Sequence, residues 1–107
     1  MSFDRLERSL QKLHAQRDTN VIAALAALHE VQHACVAVWG PDVDLHEWTL
    51  EETKEMLKKQ AKKGPQHYTH SAAVHGYEAA KQALHHVKSA KRSVPSRVLQ
   101  SVGLRQA

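Results

Sequence analysis

Apolar residues recur along this chain at three- and four-residue steps, and no segment alternates with the two-residue period of a half-buried strand. Phe3, Leu6, Leu10 and Leu13, with charged residues between them, predict a short amphipathic helix that Ser2 can cap. Asp18-Thr19-Asn20 breaks that pattern and supplies a cap for the next element. From Val21 to Trp39 the chain is at its most apolar and predicts a central helix. Val21, Leu25, Leu28, Val31, Gln32, Cys35 and Val38 form its stripe, and Ile22, Val36 and Trp39 widen it. Six alanines in this segment favour the helix and allow close approach of its neighbours. Gly40-Pro41 ends it.

An acidic connector follows, and Thr49-Leu50-Glu51-Glu52 then has the spacing of a capping box. The helix after it begins with Glu51, Glu52 and Glu55 and ends with Lys58, Lys59, Lys62 and Lys63, a polarity that suits the helix dipole at both ends. Its apolar side, Leu50, Met56 and Leu57, is thin, and Gly64-Pro65 stops it. After a polar loop, a long helix is expected from about Ala72 to Lys91, with Ala73, Tyr77, Ala80, Leu84 and Val87 on its buried stripe. Gly76 weakens that helix by about 1 kcal/mol relative to alanine unless a neighbour packs there. Ser93-Val94-Pro95 restarts a short helix, closed by Gly103. The fold class is therefore all-α: a compact bundle of four to five helices forming one domain over residues 1–107.

Composition changes this picture little. Five aromatic residues leave the core to Leu, Val and Ala, which suits close-packed helices. Cys35 is the only cysteine, so no intrachain disulfide forms. The charged N-terminus is unlike a signal peptide, and the weakly polar run Val21 to Leu28 is too short to span a bilayer. These features predict a cytoplasmic protein without membrane contact. Lying on the central stripe with no adjacent base, Cys35 reads as a small core residue.

Charge changes it more. The net charge is +4, yet residues 1–56 hold five Lys or Arg against ten Asp or Glu, while residues 57–107 hold ten basic residues against Glu78 alone. Either the halves pack against each other, or the second half offers a basic face to an anionic partner. Lys58, Lys59, Lys62 and Lys63 form a patch at i, i+1, i+4 and i+5, and Lys81, Lys88, Lys91 and Arg92 extend the positive character. Lys81 and Lys88 share a helix face suited to tracking a phosphate backbone. Arginines placed for bidentate base reading are sparse, and no helix-turn-helix pattern is present, so nucleic-acid contact would be directed at the backbone. The alanine-rich central helix is also suited to packing across a two-fold axis as a homodimer.

His29-Glu30-Val31-Gln32-His33 carries the sharpest chemistry. An H-E-x-x-H pentapeptide on a helix points both imidazoles at one metal and lets the glutamate polarise a bound water. Glu51, Glu52 and Glu55 lie 18, 19 and 22 residues beyond His33 at the start of another helix. This arrangement resembles that of gluzincin metallopeptidases. The resemblance implies His29 and His33 as zinc ligands, Glu30 as general base and one of the three glutamates as third ligand. The chain departs from that family in having only a short, helical segment ahead of the motif, where gluzincins place a β-sheet. His70 is a further candidate to meet the His29/His33 pair if the helices pack antiparallel.

The first reading is a small, non-enzymatic regulatory, inhibitor-type or adaptor protein. It needs no cofactor and engages nucleic acid or an acidic protein surface through its basic C-terminal half. The alternative is a zinc-dependent hydrolase or metal-binding protein built on the histidine motif.

Overall fold

The computed structural model describes residues 1–105. Five helices follow one another: α1 (Phe3–Lys12), α2 (Thr19–Trp39), α3 (Leu50–Ala61), α4 (His70–Ser93) and α5 (Ser96–Ser101). No strand occurs among the described residues. The all-α bundle expected from the periodicity is formed, and its element boundaries lie within two residues of those read from the caps.

The local chemistry explains those boundaries. Ser2 Oγ accepts the Arg5 N–H at 3.3 Å, and Asp18 Oδ1 accepts the N–H groups of Asn20 and Val21 at 2.9 and 3.2 Å. At α3 the capping box is complete: Thr49 Oγ1 accepts the Glu52 N–H, and Glu52 Oε1 accepts the Thr49 N–H, both at 3.1 Å. Four orphan donors at each helix start explain why these side chains mark the starts so clearly. At the far end, Gly103 adopts φ +81°, and the N–H groups of Gly103 and Leu104 return to the carbonyls of Gln100 and Leu99. That is the 5→2 and 6→1 pair of a Schellman stop, which a left-handed glycine makes without a Cβ clash.

α2 and α4 form the principal helix pair, with α3 packed on α4 and α1 on α2. The chain reverses between α3 and α4, so that Ala61 meets His70 while Leu57 lies against Gly76. These two helices are therefore antiparallel. α1 is tied at both ends. The Phe3 N–H donates to the Trp48 carbonyl at 2.7 Å, and Ser9 Oγ donates to the Val102 carbonyl at 2.8 Å, which brings α5 against α1.

Small residues make up much of what α2 and α4 bury: Ala24, Ala27 and Ala34 on α2, and Ala73, Gly76, Ala79, Ala80, Ala83 and Ala90 on α4, with Gly76 directly against Ala34. The expected stripes are corrected here. Ile22 and Val36 do not widen the buried face of α2; they are 45% and 39% exposed. Alanines occupy the seam in their place. Tyr77 and Leu84 are half-buried, while Gly76 is fully enclosed. In α3 the buried set is Leu50, Thr53 and Leu57, and Met56 is only half-buried. Thr53 belongs inside because its hydroxyl donates to the Thr49 carbonyl at 2.8 Å.

The apolar run that begins at Val21 continues, with polar interruptions, through the whole of α2. The helix spans 21 residues and holds an 18-residue window of mean hydropathy 1.6, which by length and composition alone could cross a membrane. One face is nevertheless committed to the bundle, with Val21, Ala24, Leu28, Val31 and Cys35 at 0% exposure or close to it. The other face carries His29, Glu30 and His33.

Candidate anionic-partner surface

Leu57 and Thr53 anchor α3 to α4, and this anchoring turns Lys58, Lys59, Lys62 and Lys63 to solvent, where all four are exposed. No described carboxylate lies within ion-pair distance of any of them. On α4, Lys81, His85, Lys88 and Arg92 recur at four-, three- and four-residue steps and are all exposed, forming one positive ridge. Lys91 is half-buried beside it. Lys81 is the most constrained of the ridge, 3.7 Å from Glu78 and over the Tyr77 ring at 5.3 Å. His70 sits at the end of α3 and Arg92 lies 22 residues further along α4, a rise of about 33 Å. The α3 lysines therefore lie near the start of α4, while the ridge runs from its middle at Lys81 to its far end at Arg92.

The structure adds a third group that charge counting over sequence halves concealed. Arg5, Arg8 and Lys12 of α1 line a groove of about 230 Å³ together with Ser9 and Val102. The Ser9–Val102 hydrogen bond is what places these N-terminal cations beside the basic C-terminal segment. Their i, i+3, i+7 spacing, opposite Phe3, Leu6 and Leu10, was the available signal. It was masked because residues 1–56 are acidic in sum.

Internal neutralisation of the two halves is almost absent among the described residues. Arg8–Asp4 (3.0 Å), His46–Asp4 (3.0 Å) and Lys54–Glu55 (3.7 Å) lie within the first half, and Lys81–Glu78 lies within the second. Only His75–Glu30, at 3.6 Å, joins the halves. Most of the basic side chains of the second half thus have no carboxylate within ion-pair distance among the described residues.

The histidine motif takes a different form from the one its resemblance implies. His29, Glu30 and His33 are exposed on α2, with the two imidazole centroids 4.4 Å apart. Among the described residues no third His, Cys, Asp or Glu joins them to form a metal-sized group. Glu52 is held in the α3 capping box, Glu55 lies beside Lys54, and α3 packs against α4. The expected glutamate ligand from Glu51, Glu52 or Glu55 is therefore not supplied. His70 is likewise engaged elsewhere, its Nδ1 3.0 Å from the Ala61 carbonyl. Glu30 faces His75. The three-ligand centre of a gluzincin is not formed within the described chain.

Cys35 is fully buried, and desolvation pushes its thiol up to about 12. A neutral thiol enclosed by hydrocarbon is a poor nucleophile. The folded protein is accordingly expected to react with Ellman's reagent at neutral pH only through opening of the bundle, at least about 100-fold more slowly than the urea-unfolded chain. Rapid labelling under native conditions would show that the α2 seam opens locally. Trp39 and Trp48 pack edge to face at 5.2 Å, half-buried, where the acidic connector rejoins the bundle.

Comparison of the chain with protein-family models, with curated proteins and with solved structures finds no match.

Proposed function

We propose that this protein is a non-enzymatic binding module that engages the phosphate backbone of a nucleic acid through its solvent-facing lysines. The observation that carries this reading is the unpaired state of Lys58, Lys59, Lys62 and Lys63 among the described residues, at the end of a helix whose acidic residues lie at its other end. Lysines with no carboxylate beside them keep their full charge available to release counterions from a polyanion. The ridge of Lys81, Lys88 and Arg92, with half-buried Lys91 beside it, extends the same field along α4, and Arg5 and Lys12 contribute from α1. Point-charge lysines outnumber arginines in this surface, so it favours phosphate contact over base reading.

The reading is tested by fluorescence anisotropy with two labelled duplexes of equal length and scrambled sequence. Both are expected to bind with affinities within about threefold of each other, because phosphate contacts carry no sequence information. Polyglutamate at equal charge concentration is expected to compete poorly. Strong competition by polyglutamate, with weak duplex binding, would assign the surface to an acidic protein partner instead.

A further inference from the structure

We propose that His29 and His33 form half of a zinc site, which a second copy of this chain completes with the same pair across a two-fold axis. This site lies on a different helix from the lysine surface and does not rest on the function proposed above.

The exposed line of α2 runs through Ile22, Ala26, His29, His33 and Val36, at steps of four, three, four and three residues. Such alternation keeps a single stripe facing one partner helix. Its central four members are also symmetric about position 31, lying two and five residues to either side. An antiparallel second copy of α2 centred at that position would set His29 opposite the other copy's His33 and Val36 opposite Ala26. Ile22 would then lie over the C-cap turn at Gly40. The space above Gly40 is open, since a Cβ built there meets nothing within 4 Å.

Imidazole geometry fits the same centre. One turn separates the two histidines, and their ring centroids stand 4.4 Å apart at an interplanar angle of 53°. Two imidazoles bound to one zinc with Zn–N bonds of about 2.0–2.1 Å at a tetrahedral angle hold their centroids roughly 5 Å apart, a small side-chain adjustment away. No hydrogen bond to another described residue occupies either ring. A single chain supplies two ligands, and zinc in a closed site takes four. Two chains supply four imidazoles.

The apolar stripe alone makes a weak dimer. One helix laid on another covers less than the roughly 800 Å² per partner of a stable interface. Association is therefore metal-dependent.

Sedimentation velocity and calorimetry on EDTA-treated, dialysed full-length protein, with zinc chloride as the only added ligand, test the proposal. The expected result is a monomer without zinc and a dimer with it, at one zinc per two chains. The double variant His29→Ala/His33→Ala is expected to lose both, with its helicity by circular dichroism unchanged. Val36→Glu keeps both histidines and disrupts the seam, and it is expected to weaken zinc-driven dimerisation by at least about tenfold. The Lys58, Lys59, Lys62 and Lys63 to Gln variant is expected to dimerise as the parent does. A monomer holding one zinc per chain, an oligomeric state indifferent to zinc, or zinc-driven dimerisation retained in the double histidine variant would each overturn the proposal.

Discussion

Replacing Gly76 by alanine is expected to destabilise the protein by about 1–3 kcal/mol, although alanine is the better helix former by about 1 kcal/mol. The sign follows from what the new methyl would meet. A Cβ at position 76 would stand 2.5 Å from Ala34 Cβ and 3.0 Å from a Leu57 methyl. Neither the Ala34 Cβ nor the backbone that carries it can move without shifting α2 against α4. Gly76 is the point at which α2, α3 and α4 converge, so one methyl pushes apart three helices. A loss of that size lowers Tm by on the order of 10 °C in a domain of this length, and Gly76→Val is expected to exceed it. Thermal unfolding followed by circular dichroism reads the effect. Ala34→Gly in the Gly76→Ala background is expected to recover part of the loss, since it removes the other partner of the closest contact. A rise in Tm for Gly76→Ala alone would mean that the helices have slack at this crossing.

The second large effect is expected from Lys58→Gln, Lys59→Gln, Lys62→Gln and Lys63→Gln combined. These side chains are exposed and unpaired among the described residues, and glutamine is as good a helix former as lysine, so stability should change by less than about 1 kcal/mol. Duplex binding should change greatly. Each lost phosphate contact removes about 0.9 from the slope of log K against log salt, so four contacts remove about 3.6. Weakened binding with an unchanged slope would show that the four lysines do not touch phosphate. In that case the α4 ridge and the α1 groove would carry the contact.

Much of the architecture was legible in the sequence because caps and breakers act locally. Ser2, Asp18 and the Thr49/Glu52 pair each satisfy backbone donors within three residues, so their meaning does not depend on the rest of the fold. The buried faces were less legible. Ile22 and Val36 are apolar but exposed, whereas Ala24, Ala34 and Gly76 are buried, and at the Gly76–Ala34 crossing only small side chains fit. Hydrophobicity places the central stripe of Val21, Leu28, Val31 and Cys35 correctly and misassigns only its flanks. The candidate site divides in the same way. The α3 lysines could be read directly from their spacing, while the joining of Arg5, Arg8 and Lys12 to the C-terminal basic segment depends on a Ser9–Val102 hydrogen bond spanning 93 residues. The H-E-x-x-H pentapeptide was visible at once, but its spacing could not reveal that α3 packs against α4 and leaves the histidine pair without a third ligand in its own chain.

The most direct test of phosphate-backbone binding is the salt dependence of wild-type affinity for a labelled duplex of about 20 base pairs, measured by anisotropy between about 50 and about 200 mM sodium chloride. Engagement of the four α3 lysines together with Lys81, Lys88 and Arg92 is expected to give a linear fall of log K against log salt, with a slope of about −6. Affinity that stays flat across that range, or no binding at its low-salt end, would contradict the proposed function.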